Sequence, residues 1–235
     1  MIKNQPHYNI SIPNPETHYF NVKYSFVLQK NSDQFFHMPV WTPGSYKVRE
    51  FQRNITDLCG NAGNKKLDIA RIDKSTWKFS GKKGSKIEIN YRIYAREMTV
   101  RTSYLDSYQA VINGASVFIY ADNLKSNPVF LTLKYPRNWG KPVTSLNLNE
   151  NNSAYMADDY DHLVDSPILI GNPDIHSFKL KNKPHRFAIT GNGNYDIKVI
   201  IKDTKKILTS FYGIFSEFPY KSYTFITHLY ENLYG

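Results

Sequence analysis

Apolar residues recur at every second position in several stretches of this chain, and this alternation is the feature that most restricts its fold. One face of the stretch KIEINYRIYA holds Ile87, Ile89, Tyr91 and Ile93. NVKYSFVL and PVFLTLKY repeat the pattern. A period of two indicates strands with one buried face, and clusters of Gly, Pro, Asn and Asp between them supply turns. Up to about residue 170 we therefore expect a mainly β fold, an antiparallel β-sandwich or a strongly curved, saddle-like sheet.

The pattern changes towards the C-terminus. In DDYDHLVDSPILIG, Asp158 or Asp159 is expected to cap one helical turn, which Pro167 ends before a strand. Beyond residue 184, HRFAITG, DIKVIIKD and YTFITHLY are predicted strands, and the apolar residues of TKKILTSFYGIF have helical spacing. GNGN at 191–194 is then a hairpin turn. We expect a β-rich domain over residues 1–172, followed by linker strands and the start of an α/β unit over 173–235.

Composition narrows the class of protein further. With 235 residues, 41% hydrophobic and 21% charged, the chain has the composition of a folded globular protein. Cys59 is the single cysteine, which excludes an internal disulfide and a zinc site built mainly from thiolates. The N-terminal residues contain no apolar run of the length found in signal peptides or membrane anchors. We therefore expect a cytoplasmic location and no membrane partner.

The formal charge of +10 raises the question of nucleic-acid binding. The lysines and arginines lie in separate segments that we expect to be loops: GKKGSK at 81–86, KLKNKPHR at 179–186 and DTKKI at 203–207. No RNP-like, helix-turn-helix or zinc-finger pattern accompanies them. The sequence thus favours dispersed, solubilising charge, with no specific nucleic-acid partner.

The sequence contains no motif that strongly indicates a catalytic or metal-binding site. The chain has seven histidines, no two of them at positions i and i+4, and it lacks H-E-x-x-H, G-x-S-x-G and Gly-rich phosphate loops. His185 and His228 could still converge in space. Four carboxylates between residues 158 and 165 lack the spacing of a calcium loop, and helix capping accounts for at least one. We therefore assign no catalytic residue and no metal ligand from these patterns.

In residues 37–54, HMPVWTPGSYKVREFQRN, an apolar stretch, a turn signal and a charged stretch follow one another closely. Pro43 and Gly44 fit the central positions of a type II turn. Trp41 is expected to anchor this turn on the core, and residues 46–51 are expected to form a partly buried, ion-pairing strand. These local features predict a turn and a strand, and they indicate no catalytic residue in this segment.

The same block carries a family resemblance. HMPVWTPGSYKVREFQRNI resembles the M-P-x-W-x-P-G-S-Y and R-E-F-x-R-x-I pattern of the M61 family, the glycyl-aminopeptidase-like metallopeptidases. Further matching segments follow in order: YRIYAREMTVRTSYLD, VINGASVF, DYDHLVDSPILIG, PHRFAITGNG and YTFITHLYENLYG. Members of this family look like thermolysin-type zinc peptidases, with a β-rich N-terminal domain and a mainly helical catalytic domain. The resemblance implies that residues 173–235 begin a thermolysin-like catalytic domain that this chain truncates.

The resemblance also implies which functional parts this chain holds. Of the family's Y-G-G-L-E-H motif only Tyr234 and Gly235 are present, and H-E-x-x-H is absent. We expect the 235-residue chain to bind no catalytic zinc and to be inactive, whereas its longer parent would be a zinc aminopeptidase. Its expected partners are its own catalytic domain and, through the parent, a peptide substrate. The candidates for the substrate cleft are Tyr104, Asn113, Gly114, Tyr234 and Gly235.

Two other interpretations remain open. Aromatic residues make up 15% of the chain, with 18 tyrosines, so an autonomous carbohydrate- or peptide-binding β-sandwich is the alternative function. The apolar strand YTFITHLY would lie at a sheet edge, where extended chains add as strands. A homodimer through this edge is therefore a further expectation.

Overall fold

Strands dominate the computed structural model, which describes residues 5–42 and 45–230. The strands of these residues are β1 (His7–Ser11), β2 (Tyr19–Val27), β3 (Ser32–His37), β4 (Ile55–Ala62), β5 (Lys65–Lys66), β6 (Ala70–Arg71), β7 (Thr76–Gly81), β8 (Lys86–Tyr94), β9 (Tyr104–Leu105), β10 (Ala110–Ile112), β11 (Tyr120–Ala121), β12 (Val129–Lys134), β13 (Asn147–Leu148), β14 (Tyr155–Ala157), β15 (Ile168–Ile170), β16 (Asp174–Leu180), β17 (Lys183–Gly191) and β18 (Tyr223–Leu229). The α-helices are α1 (Tyr160–Val164) and α2 (Ile197–Phe215). The prediction of a mainly β protein is confirmed.

The alternating stretches form the centre of an eight-stranded sheet. Its order is β13-β14-β12-β1-β2-β8-β4-β5. β2 pairs antiparallel with β8, with Tyr24 opposite Ile89, and both side chains are buried. The predicted buried faces of both strands are thus confirmed. One strand pair of this sheet differs from the predicted antiparallel pairing, because β1 and β12 run parallel. Parallel strands need a long connection, which residues 12–128 supply.

A second sheet shares the core of the first. Its order is β11-β3-β7-β6. Phe36 of β3 and Phe79 of β7 are almost completely buried and belong to one apolar cluster with Tyr24 and Ile89 of the large sheet. A third sheet, β15-β10-β9, contributes Leu105 and Ile112 to the same cluster.

Three tyrosines hold an irregular segment inside this core. Residues 117–119 precede β11 and make no strand ladder, yet Val117, Phe118 and Ile119 are fully buried. Each of their carbonyl oxygens accepts a hydrogen bond from a buried tyrosine hydroxyl: Tyr91 to Val117 at 2.9 Å, Tyr160 to Phe118 at 2.7 Å and Tyr8 to Ile119 at 2.5 Å. Buried backbone carbonyls need such partners, so these side chains replace the missing ladder.

The predicted single helical turn is also confirmed. Asp159 caps α1, because its Oδ1 accepts the backbone N–H of His162 at 2.7 Å. Strand β15 begins one residue after Pro167. Local capping chemistry was sufficient to predict this element.

The C-terminal residues form a separate three-stranded sheet with a helix. Its order is β16-β17-β18, and β17 pairs parallel with β18 through the crossover helix α2. Three apolar residues of α2, Ile197, Ile201 and Leu208, pack on Phe178 and Phe187 of this sheet. No described helix combines the length and apolarity needed to cross a bilayer.

Two predictions in this region are wrong. DIKVIIKD is the first part of α2 rather than a strand, since Asp196 Oδ1 accepts the N–H groups of Lys198 and Val199 and so caps the helix. Packing and capping override the strand propensity of its β-branched residues. GNGN is consequently a strand-to-helix connection and not a hairpin turn. Gly191 has φ +85°, and a Cβ there would lie 1.9 Å from the carbonyl oxygen of Leu229.

Residues 46–50 form no strand, contrary to the prediction. Tyr46 is 98% exposed and Trp41, the expected core anchor, is 54% exposed. Arg49 closes the loop by donating from its backbone N–H to the carbonyl of Val40 at 2.6 Å and from Nε to Ser45 Oγ at 2.8 Å. The expected ion pairing is present in Glu50, whose Oε1 lies 2.7 Å from Lys74 Nζ. The predicted turn at Pro43 and Gly44 lies outside the described residues.

The tyrosine hydroxyls can be tested by substitution. Tyr91→Phe removes the donor to Val117 and the acceptor of the Ile119 N–H at 3.3 Å, leaving two buried backbone groups unpaired. We expect the free energy of unfolding to fall by about 1–3 kcal/mol, measured by urea denaturation. This corresponds to a decrease in Tm of a few degrees for a chain of this size.

Tyr94→Phe is the matched control on the same strand, since Tyr94 is 39% exposed. It should change the free energy of unfolding by less than about 0.5 kcal/mol. Equal stabilities for Tyr91→Phe and Tyr94→Phe would contradict a structural role for the buried hydroxyl.

Candidate functional site

The hairpin β9–β10 meets the C-terminal sheet in a small apolar contact. Val111 of β10 and Leu169 of β15 are buried together with Ala188 of β17. Tyr104 and Ile226 pack against this cluster. The contact fixes the hairpin beside the ends of β17 and β18.

A cavity lined by both polar and apolar side chains lies next to this contact. Its volume is about 680 Å³, within the range of ligand-binding clefts. It is formed where the parallel strands β17 and β18 end, which is where ligands bind in many open α/β sheets. The cavity is lined by side chains that can form hydrogen bonds, among them Asp106, Gln109, Asn172, Asp174, Thr190 and Tyr230.

Asp106 organises the hairpin side of this cavity. Its Oδ1 accepts the backbone N–H groups of Tyr108 at 2.8 Å and Gln109 at 2.9 Å, an Asx-type turn. Its Oδ2 accepts the hydroxyl of Tyr104 at 3.1 Å. One carboxylate therefore orders both the turn and the tyrosine.

Gln109 connects the hairpin to the end of β18. Its Nε2 donates to the hydroxyl of Tyr230, while its Oε1 is buried without a partner among the described residues. Nearby, Thr190 Oγ1 lies 2.6 Å from His228 Nδ1. An amide with one unused oxygen is a hydrogen-bonding group that a ligand or a small shift of the side chain would satisfy.

Burial changes the pKa values of the ionisable groups here. Desolvation, together with the Asp106 carboxylate, raises the pKa of Tyr104 to about 12. Desolvation likewise raises the pKa of Tyr230 and lowers the pKa of His228. All three side chains are therefore held in their neutral forms at neutral pH. They are suited to hydrogen bonding rather than to carrying charge.

The described candidate residues have different surroundings. Tyr104 belongs to this site through Asp106. Asn113 lines another cavity of about 1100 Å³, and its Nδ2 donates to the carbonyl of Val100 at 3.0 Å. Gly114 is buried, and a Cβ there would lie 2.5 Å from the Cα of Val164. Its position is explained by close packing on α1. Tyr234 and Gly235 lie outside the described residues.

No motif in the sequence points to Asp106, Gln109, Thr190 or Tyr230 as site residues. A local signal existed only for Asp106, because Asp followed by small and polar residues favours a turn. Gln109 and Tyr230 are 121 residues apart in the chain, so only the tertiary structure brings them together.

The other polar groups considered from sequence have structural partners. Asp161 Oδ1 lies 3.0 Å from Lys125 Nζ, and Asp159 caps α1. His185 and His228 do not converge: His228 lies opposite Thr190 in the sheet register, five residues from His185 along β17, or about 17 Å. Within residues 5–42 and 45–230, no three His, Cys, Asp or Glu side chains group as metal ligands would.

Gly114 gives a direct test of the packing interpretation. In Gly114→Ala the added methyl group meets backbone atoms of Val164, which cannot move aside as a flexible side chain can. We expect a loss of about 1–3 kcal/mol in the free energy of unfolding, measured by urea denaturation. Gly213→Ala is the control, since nothing lies within 4 Å of its Cβ position and alanine favours a helix. A Gly114→Ala protein as stable as the unsubstituted chain would refute close packing as the reason for this glycine.

The raised pKa of Tyr104 predicts a pH dependence. In Asp106→Asn the negative charge is lost while an acceptor for the turn remains, so the pKa of Tyr104 should fall but stay above its ordinary value of 10, because desolvation persists. Titration of tyrosinate absorbance, with Tyr104→Phe subtracted, measures it. Because the pKa is higher in the folded state, the resulting stabilisation is complete below pH 10 and is lost as the pH rises from 10 to about 12.

Asp68→Asn, at an exposed carboxylate elsewhere, is the control and should leave the pKa of Tyr104 unchanged. An unchanged pKa in Asp106→Asn as well would mean that the carboxylate does not act on this tyrosine.

Solved structures resemble the whole chain. The crystal structure of an aminopeptidase N family protein from Idiomarina loihiensis superposes with a TM-score of 0.89 at 30% identity, covering 98% of this chain and 40% of that chain. An M1 zinc metallopeptidase from Deinococcus radiodurans gives a TM-score of 0.55 at 8% identity, covering 95% of this chain and 55% of that one, which shows similarity of fold alone. The chain thus spans less than half of the Idiomarina protein.

Sequence comparison assigns the family. No curated protein matches this chain. Residues 7–172 match the Peptidase M61 N-terminal domain, which is the resemblance that the block at 37–54 predicted. The chain therefore belongs to the M61 peptidase family and contains that family's N-terminal domain.

Proposed function

We propose that this chain is the N-terminal scaffold of a zinc-dependent aminopeptidase and forms one wall of its substrate cleft. The observation that carries the proposal is the cavity of about 680 Å³, lined by several hydrogen-bonding side chains, at the point where the M61 domain meets β17 and β18. Substrate clefts are commonly found where two structural units meet. The match to the M61 domain ends at residue 172, which supports a domain boundary there.

The lining of the cavity suits a peptide. A peptide backbone presents both N–H donors and carbonyl acceptors, and a wall that binds it needs groups of both kinds. The amides of Gln109, Asn138 and Asn172 supply both, and Asp106 supplies a carboxylate. The neutral hydroxyl of Tyr230, whose pKa is raised by desolvation, also lines the cavity and stays protonated over the physiological pH range.

Residues 173–235 are proposed to begin the catalytic domain. The parallel β17–α2–β18 unit resembles a piece of a larger α/β sheet, because within the described residues β18 pairs on one side only. One flank of α2 exposes large apolar side chains, namely Ile207, Phe211 and Ile214. Such a flank is normally covered by another part of a protein. The rest of the catalytic domain is the partner that we propose for the flank and for the strand edge, with a homodimer as the competing occupant of the edge.

Zinc is assigned to the parent protein and not to the described residues. The M1 relative from Deinococcus radiodurans is a zinc metallopeptidase. Structural and catalytic zinc sites need three or four converging Cys, His, Asp or Glu ligands, and residues 5–42 and 45–230 bring no such group together. The described residues therefore do not fit a zinc site, and the part that we assign to them is substrate binding.

A second candidate function rests on a different cavity. Trp41, which is 54% exposed, and Tyr120 line the cavity of about 1100 Å³ together with Lys125 and Asp165. Exposed aromatic faces beside hydrogen-bonding groups suit a sugar ring, so this cavity favours carbohydrate binding as the alternative.

The main proposal is tested on the 235-residue chain and on a longer protein in which the proposed catalytic domain follows it. The purified 235-residue chain should contain no stoichiometric zinc by elemental analysis and should not cleave glycyl or alanyl arylamides. In a gene product that includes the catalytic domain, Gln109→Leu should raise KM up to about tenfold, because one hydrogen bond to substrate is lost.

Gln29→Leu is the matched control, since Gln29 is exposed and, among the described residues, its amide bonds only to the nearby carbonyl of Val27. Stoichiometric zinc with arylamide cleavage by the 235-residue chain would refute the scaffold role. A KM for Gln109→Leu equal to that of Gln29→Leu would refute the cleft-wall role.

A further inference from the structure

One flank of α2 carries a row of lysines. Lys198, Lys202, Lys205 and Lys206 line a shallow, open depression on this helix. Apart from the half-buried Lys205, these side chains are exposed. Their spacing of three to four residues places them on one side of the helix.

The turn between β16 and β17 extends this row. Lys181 Nζ lies 4.9 Å from the ring centre of Tyr212, and Lys205 Nζ lies 5.7 Å from that of Phe178. These contacts join the two basic segments at 179–186 and 203–207. The prediction that both segments are loops is wrong, because the first spans the β16–β17 hairpin and the second lies in α2. We call the five residues Lys181, Lys198, Lys202, Lys205 and Lys206 the α2 lysine patch.

The patch concentrates positive charge over a defined length. Asp203 Oδ1 pairs with Lys206 Nζ at 2.9 Å. Among the described residues, Asp203 is the one carboxylate that forms an ion pair with the patch. From Lys198 to Tyr212 the helix rises about 21 Å at 1.5 Å per residue. This length matches about six phosphates along one strand of a DNA duplex.

We propose that the α2 lysine patch binds the phosphate backbone of nucleic acid without sequence preference. Lysine acts on phosphate as a point charge, and neutralising phosphates releases condensed counterions, which drives binding. The described residues that line the depression include no arginine and no exposed aromatic side chain, which are side chains that would contact bases. Phosphate contacts without base contacts give affinity but no specificity.

Two other anionic partners fit the patch less well. An acidic protein would bind best around a buried aromatic or apolar anchor, whereas the apolar residue lining the depression is the half-buried Ile201. An anionic membrane would require apolar side chains on the same side as the lysines. Three exposed apolar side chains of α2, Ile207, Phe211 and Ile214, lie about 160° away around the helix axis, at 100° per residue. Val199 is the exposed apolar side chain of α2 that lies beside the lysines, and a single valine gives little apolar surface for a bilayer.

The lysines and the exposed apolar flank lie on opposite sides of α2. If the catalytic domain covers the apolar flank of α2, the lysines on the opposite flank still face solvent. The inference therefore does not depend on the proposed peptidase function.

The test is fluorescence anisotropy with two labelled DNA duplexes of unrelated sequence, at 50 to 200 mM salt. We expect both duplexes to bind equally, with log K falling against log salt at a slope of about −4, from four to five phosphate contacts. In Lys198→Gln/Lys202→Gln/Lys206→Gln the slope should become shallower by about 2.7. Glutamine preserves helix propensity, and circular dichroism verifies that α2 remains folded.

Lys65→Gln/Lys66→Gln/Lys82→Gln is the matched control, because it removes the same charge from exposed lysines outside the C-terminal sheet. It should keep the full slope. Equal losses in the two triple variants would show that dispersed charge binds DNA and would overturn the proposal, as would no binding at 50 mM salt. Displacement of DNA by polyglutamate or by phosphatidylserine vesicles as effectively as by unlabelled DNA would overturn the choice of nucleic acid.

Discussion

Three consecutive backbone carbonyls buried in the core impose the constraint on which the rest of the structure depends. Residues 117–119 cross the interior without a neighbouring strand, and a buried carbonyl without a partner costs about 1–3 kcal/mol. The hydroxyls of Tyr8, Tyr91 and Tyr160 meet this requirement from β1, β8 and α1. Three elements distant in sequence are thereby fixed around one segment, and desolvation raises the pKa of each phenol, so none ionises at physiological pH.

The tyrosine-held segment also positions the candidate site. It follows Asn113 and Gly114, which end the hairpin β9–β10, and Gly114 packs directly on Val164 of α1. The other end of the hairpin carries Asp106 and Gln109, which face the ends of β17 and β18. The core therefore holds a short hairpin rigidly against the C-terminal sheet. Polar groups placed on such a support keep a defined geometry, which a substrate cleft requires.

Elements set by local patterns could be predicted from the sequence, and contacts between distant residues could not. The alternation in β2 and β8 and the Asp159 cap of α1 are encoded within a few residues. The block at 37–54 is the most specific part of the M61 resemblance, which the family match over residues 7–172 confirms. The sequence pattern wrongly predicts a strand at the start of the helix at 197–215, because its β-branched residues fit either a strand or a helix until the sheet beneath it is known. No local sequence pattern indicates the contact of Gln109 with Tyr230 or the parallel pairing of β1 with β12.

Helix α2 shows how two opposite surfaces of one element can serve different purposes. Its inner residues pack on the C-terminal sheet, while one flank is apolar and the other basic. An apolar flank in water favours burial against further protein, whereas clustered lysines repel one another and remain solvated unless an anion neutralises them. Covering the apolar flank would therefore leave the lysines exposed. The same helix would then join the N-terminal scaffold to the rest of an enzyme and retain a separate polyanion-binding surface.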